Sequence, residues 1–119
     1  MSDPESLIDA QVFAELQDAA GADFVAELIG TFLEEAPPLL MELRRAIAAG
    51  DEGEMRRAAH SLKSNAQTFG ATALGEQARA LEHGGLAALS RAGAQADRLA
   101  ALDAAYAAAA AALEACRHD

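Results

Sequence analysis

Apolar residues recur three or four positions apart along most of this 119-residue chain, and a glycine stands wherever the rhythm breaks. That spacing lines up one face of a helix with roughly 3.6 residues per turn, and a strand cannot use it. Val12, Phe13 and Leu16 predict a short first helix from about Asp9 to Ala19, with Asp9 as N-cap and Gly21 beyond its end. A second helix, from near Asp23 to Ala49, carries Val25, Leu28, Phe32, Ala36, Leu39, Leu43 and Ile47 inward. Pro37 and Pro38 lie inside it and predict a kink or a restart. Asp51 with Glu54 reads as a capping box opening a third helix, which runs to Phe69 and ends at Gly70. The fourth spans about Thr72 to His83, with Leu74, Ala78 and Leu81 inward and Gly84-Gly85 as its stop. Leu86 to Gly93 reads equally as a further helical turn or a loop. The fifth runs from about Gln95 to Cys116, where Leu99, Leu102, Tyr106, Ala109, Leu113 and Cys116 alternate like a heptad seam.

Composition agrees with the period. The chain is 52% hydrophobic and only 4% aromatic, and its apolar mass is Ala and Leu, which are good helix formers. Val and Ile are few, so a sheet has little material. The expected fold is all-α: an antiparallel four-helix bundle with the short N-terminal helix covering one end, in a single domain over residues 1–119.

Charge narrows the functions. Nine Lys+Arg against 19 Asp+Glu give a net charge of −10, which argues against nucleic acid and against anionic membrane surfaces. The one cysteine, Cys116, cannot close an internal disulfide, so a reducing compartment is the simpler reading. Residues 1–7 are polar and acidic, unlike a signal peptide, and the Ala-rich stretches are broken by charge. A soluble cytoplasmic protein is expected.

The third helix carries the chemistry. At about 100° per residue with His60 at zero, Arg56 falls near −40°, Arg57 near +60°, Lys63 near −60°, Ser64 near +40° and Gln67 near −20°. Met55, Ala58, Leu62, Ala66 and Phe69 occupy the other side. His60 is therefore central on the wet face and is not a core histidine. On the wheel alone, a solvated histidine without function reads equally well. Three details favour a function: Lys63 is the only lysine, Ser64 is small enough to let another protein approach, and the face is basic in an acidic chain. Such a face suits a phosphoryl group.

The segment Ala59-His60-Ser61-Leu62-Lys63-Ser64-Asn65-Ala66, followed by Phe69-Gly70-Ala71 and Leu74, resembles the signature of histidine-containing phosphotransfer (HPt) domains. The likeness reaches upstream through Gly21-Ala22-Asp23-Phe24, Phe32-Leu33, Leu43 and Ala46, and downstream to Leu81-Glu82. It covers about residues 8 to 82, and the fifth helix, 95–116, agrees only in type. Many family members have Gly where this chain has Ser64; serine is still small, so docking is expected to survive. The resemblance implies a phosphorelay intermediate. His60 would accept a phosphoryl group, through Nε2, from an aspartyl phosphate on a receiver domain and pass it to another receiver aspartate. The implied partners are response-regulator receivers and a hybrid histidine kinase. No cofactor is expected on this chain, since the catalytic Mg²⁺ would belong to the receiver. Lys63 would neutralise phosphoryl oxygens, and Arg56, Arg57, Ser64 and Gln67 would form the receiver-docking face.

Glu82 completes the expected site. His60 lies ten residues before Gly70, and counting about as far forward reaches Arg79 to His83 on the returning fourth helix. Leu81 looks inward, which leaves Glu82 as the carboxylate facing His60 and accepting from Nδ1–H. The resemblance supports this, because an acceptor from that helix often holds the imidazole.

Other functions fit less well. A non-catalytic helical module binding a receiver or kinase would not require an intact His60 and Lys63. A kinase dimerisation domain usually has an acidic residue directly after the histidine and a proline soon after; here Ser61 follows and the third helix has no proline. No Gly-rich nucleotide box is present, so autophosphorylation is not expected. Carboxylate-bridged metal bundles need Glu-x-x-His pairs, but Arg57, Ala80 and Ala115 precede the three histidines at that spacing. His83 falls at a helix end and His118 in the C-terminal tail, and no serine or cysteine has a recognisable base and orienter.

Overall fold

The structure, a computed structural model, describes residues 8–117. The readings of residues 1–7 and of His118 lie outside that range. The elements are α1 (Ala10–Ala20), α2 (Ala22–Ala49), α3 (Glu52–Phe69), α4 (Thr72–Gly84), a 3₁₀ turn (Leu86–Leu89) and α5 (Ala94–Arg117). The chain is all-α, as its periodicity predicts. The ambiguous segment after Gly85 resolves into that 3₁₀ turn and a short loop.

Local chemistry sets the boundaries. The Asp9 carboxylate caps α1 by accepting from the amides of Gln11 and Val12 at 3.0 and 3.1 Å. Gly50 and Gly70 end α2 and α3 with φ of 69° and 75°, the left-handed region that glycine enters without strain. The expected capping box at α3 is only half made. Asp51 accepts from the Glu54 amide at 3.0 Å, but the Asp51 amide donates to the Ala46 carbonyl. The Glu54 carboxylate turns instead to Arg57, because a full positive charge outbids an amide for a carboxylate.

α2 corrects two further expectations. It continues through Pro37 and Pro38 without a restart. Proline removes the amide that would bond to the carbonyl four residues back, here Leu33 and Glu34. Pro37, Pro38 and Glu34 are all exposed, so water can serve the freed carbonyls. The buried positions include Ile29 and Leu40, while Leu28 and Leu39 are half-buried at the margin.

Two-residue turns, Gly50-Asp51 and Gly70-Ala71, reverse the chain between α2, α3 and α4. α5 packs on both α4 and α2, so α2 to α5 close into a four-helix bundle. Phe32 meets Phe69 and Tyr106 at ring-centroid distances of 5.5 and 5.9 Å, joining α2, α3 and α5 at one level of the core. α1 buries Phe13 and lies over the α3–α4 turn, where the Asp9 amide donates to the Gly70 carbonyl at 2.7 Å. By length and hydropathy alone, α5 could cross a membrane. It reaches that hydropathy through alanine, and its Leu102, Ala109 and Leu113 are buried against the bundle.

Candidate functional site

α3 presents His60 from the middle of its exposed face, with 59% of the side chain open to solvent. Ala59 and Leu62 beside it are buried and fix the rotation of the helix, and hence the direction in which His60 leaves it. The turn at Gly70-Ala71 brings α4 back along α3. Glu82 then lies across from His60, with Oε2 2.7 Å from Nδ1.

The other oxygen of Glu82 is sealed from solvent and has the Lys63 ammonium 2.6 Å away. Glu82 is held below its ordinary 4.5, first by the bond from Lys63; partial desolvation opposes this, and the bond from His60 adds to it. An ionised carboxylate can only accept. The proton of a neutral His60 therefore sits on Nδ1, and Nε2 keeps its lone pair free. No bond to Nε2 is present among the described residues.

The wheel places Lys63 beside His60, and the structure turns it to Glu82. Its side chain is only 17% exposed and lies between α3 and α4. The long stem reaches across the helix pair, which a wheel of a single helix cannot register. The basic face needs the same correction. Arg56 is 3.7 Å from Glu52, and Arg57 pairs with Glu54. Each of the three cations around His60 thus has a carboxylate beside it. Glu52 also accepts from the Leu86 amide at 3.0 Å, tying the 3₁₀ turn to the start of α3. Ser64 and Gln67 are exposed on the His60 side, so the four docking candidates share the face but are not bonded to one another.

One feature of this site escaped the sequence reading. His60, Ser61, Ser64 and Asn65 form one wall of an open groove of about 570 Å³, and α2 supplies the other with Glu34, Glu35, Pro38, Leu39 and Glu42. The signal was available. Counting back from the Gly50-Asp51 turn as far as His60 lies forward of it reaches Met41 and Glu42. Among the described residues, no group of three or more His, Cys, Asp or Glu side chains is placed to hold a metal ion.

A family model described as the Hpt domain matches residues 27–117. The match takes in α5, beyond the resemblance read from the sequence, and leaves out α1. No curated protein and no solved structure matches the chain.

Proposed function

The chain belongs to the Hpt domain family, whose role is histidine phosphotransfer in phosphorelays, and we propose that His60 is the residue that carries the phosphoryl group. One observation carries this reading: an exposed imidazole whose Nδ1 is bonded to a carboxylate and whose Nε2 has no bond among the described residues. In the proposed step Nε2 attacks the phosphorus of a receiver's aspartyl phosphate. The N–P bond forms as the P–O bond to aspartate breaks, and the carboxylate leaves with the electron pair. The imidazole gains positive charge while Nδ1 keeps its proton, and the Glu82 carboxylate stabilises that charge. Transfer onward is the same step reversed toward a second receiver's aspartate.

Glu82 acts as a positioning residue that fixes tautomer and ring orientation. Lys63 keeps Glu82 ionised, and its ammonium is near enough to turn to phosphoryl oxygens once they arrive. Arg56, Arg57, Ser64 and Gln67 belong to the surface that a receiver covers. Mg²⁺ is assigned to the receiver, and the donor receiver to a hybrid histidine kinase.

The test is incubation of the chain with phosphorylated receiver domains and, separately, with phosphoramidate. The expected product is an acid-labile, alkali-stable phosphate on the wild type and none on His60→Gln. Equal labelling of the two proteins would remove His60 from the mechanism.

A further inference from the structure

The charges around His60 are divided unevenly. On α3 and α4, Glu52, Glu54 and Glu82 each face a cation. On the α2 side, Glu34, Glu35 and Glu42 have no ion-pair partner among the described residues, and they stand together on one wall of the groove that includes His60. Pro38 lies in the same wall and, having no amide proton, leaves the Glu34 carbonyl without its helical donor. Glu34 is exposed, so water serves that carbonyl in the free chain, and a donor from a docked domain would replace it.

A domain that brings a reacting aspartate to His60 comes up beside this groove, because His60 is part of its wall. Such a domain carries its own acidic centre toward a chain of net charge −10. The approach is repulsive unless the visitor also places positive charge next to its aspartate.

We infer that the α2–α3 groove receives an arginine or lysine side chain of the receiver domain, and that this contact selects which receivers exchange phosphate with the chain. Pro38 and Leu39 pack the aliphatic stem. Glu35 and Glu42 pair with the head group, and the Glu34 carbonyl accepts one of its protons. The inference rests on the phosphotransfer reading above and adds the chemistry of the partner's rim.

The experiment uses the full chain, phosphorylated with phosphoramidate, and a receiver domain that accepts phosphate from it. Transfer kinetics are measured over a range of salt for wild type and for Glu35→Gln/Glu42→Gln. They are repeated against receiver variants in which each surface Lys or Arg near the aspartate is changed to Gln. The double variant should raise KM by about tenfold or more at low salt, leave kcat within a few-fold, and flatten the salt dependence. One receiver Lys or Arg→Gln variant should show the same loss, and combining the two changes should add little. Unchanged KM and salt slope, or losses that simply add for every receiver variant, would overturn the groove contact and leave His60 chemistry standing. Failure of phosphoramidate to label wild-type His60 would overturn the phosphotransfer reading, and the groove contact with it.

Discussion

Glu82 divides its two oxygens between His60 and Lys63, and the consequences for each neighbour can be separated. Removing the carboxylate with Glu82→Ala takes a charge-assisted bond from an imidazole that, in the proposed step, becomes cationic during transfer. Such bonds contribute about 1.5–3 kcal/mol, so phosphoryl uptake should slow by roughly tenfold to a hundredfold. Stopped-flow transfer from a phosphorylated receiver measures it. Acid titration reads the same residue through stability. A carboxyl held below its ordinary 4.5 contributes fully above that value and loses its contribution as pH falls through the lowered folded value. The stability difference between wild type and Glu82→Gln should therefore be level near neutral pH and shrink on acidification below about 4.5, seen as converging urea midpoints. Lys63→Met removes the largest cause of the depression, so the Glu82 carboxyl should titrate higher by carbon-detected NMR, and uptake should slow. An unmoved Glu82 titration would reduce Lys63 to a solvated charge. The contact of His60 with Glu82 was legible because both answer to one turn, Gly70-Ala71, from which residues can be counted. The bond between Lys63 and Glu82 was not, because a four-carbon stem lets the ammonium choose between helices.

At the scale of helices, glycine does two opposite jobs. Gly75 is buried where α4 lies close to α3, and a Cβ there would meet Ala66 Cβ and Gln67 Cγ at an ordinary 3.8 Å. Gly75→Ala should thus raise stability by about 0.5–1 kcal/mol through helix propensity alone. Gly70 has a φ of +75°, and a Cβ would come to 3.0 Å from the Asp9 carbonyl oxygen and from Val12 Cβ. Gly70→Ala should cost about 1–3 kcal/mol and loosen α1. Thermal melts of the two variants, moving in opposite directions, check both. The same scale shows where sequence patterning stops. Helix ends follow from caps and glycines that act within a few residues, and these were legible. The inward face of α2 was not fully so. Leu28-Ile29 and Leu39-Leu40 are adjacent apolar pairs, either member of which fits the period. Only packing of the neighbouring helices selects Ile29 and Leu40.

Taken as a whole, the bundle combines few large side chains with much alanine. In α5 the fully buried set is Ala94, Leu102, Ala109 and Leu113, so two leucines supply most of the apolar volume with which that helix enters the core. Leu113→Ala should cost about 2–5 kcal/mol, because alanine neighbours on a rigid helix cannot collapse into the gap. Its folded fraction should still take phosphate on His60, which separates loss of stability from loss of chemistry; denaturant titration with parallel labelling measures both. The two short turns described above have a further effect, on the order of assembly. They make neighbours in space neighbours along the chain, and helical proteins built that way fold in microseconds to milliseconds. His60, Lys63 and Glu82 all belong to the hairpin of α3 and α4, whereas α5 must return from beyond a loop to dock. A chain emerging from a ribosome would complete the His60–Glu82 pair before the last helix exists. In the mature protein, amide hydrogens of α5 should exchange with solvent sooner than those of α3, leaving the histidine's immediate frame intact during such openings.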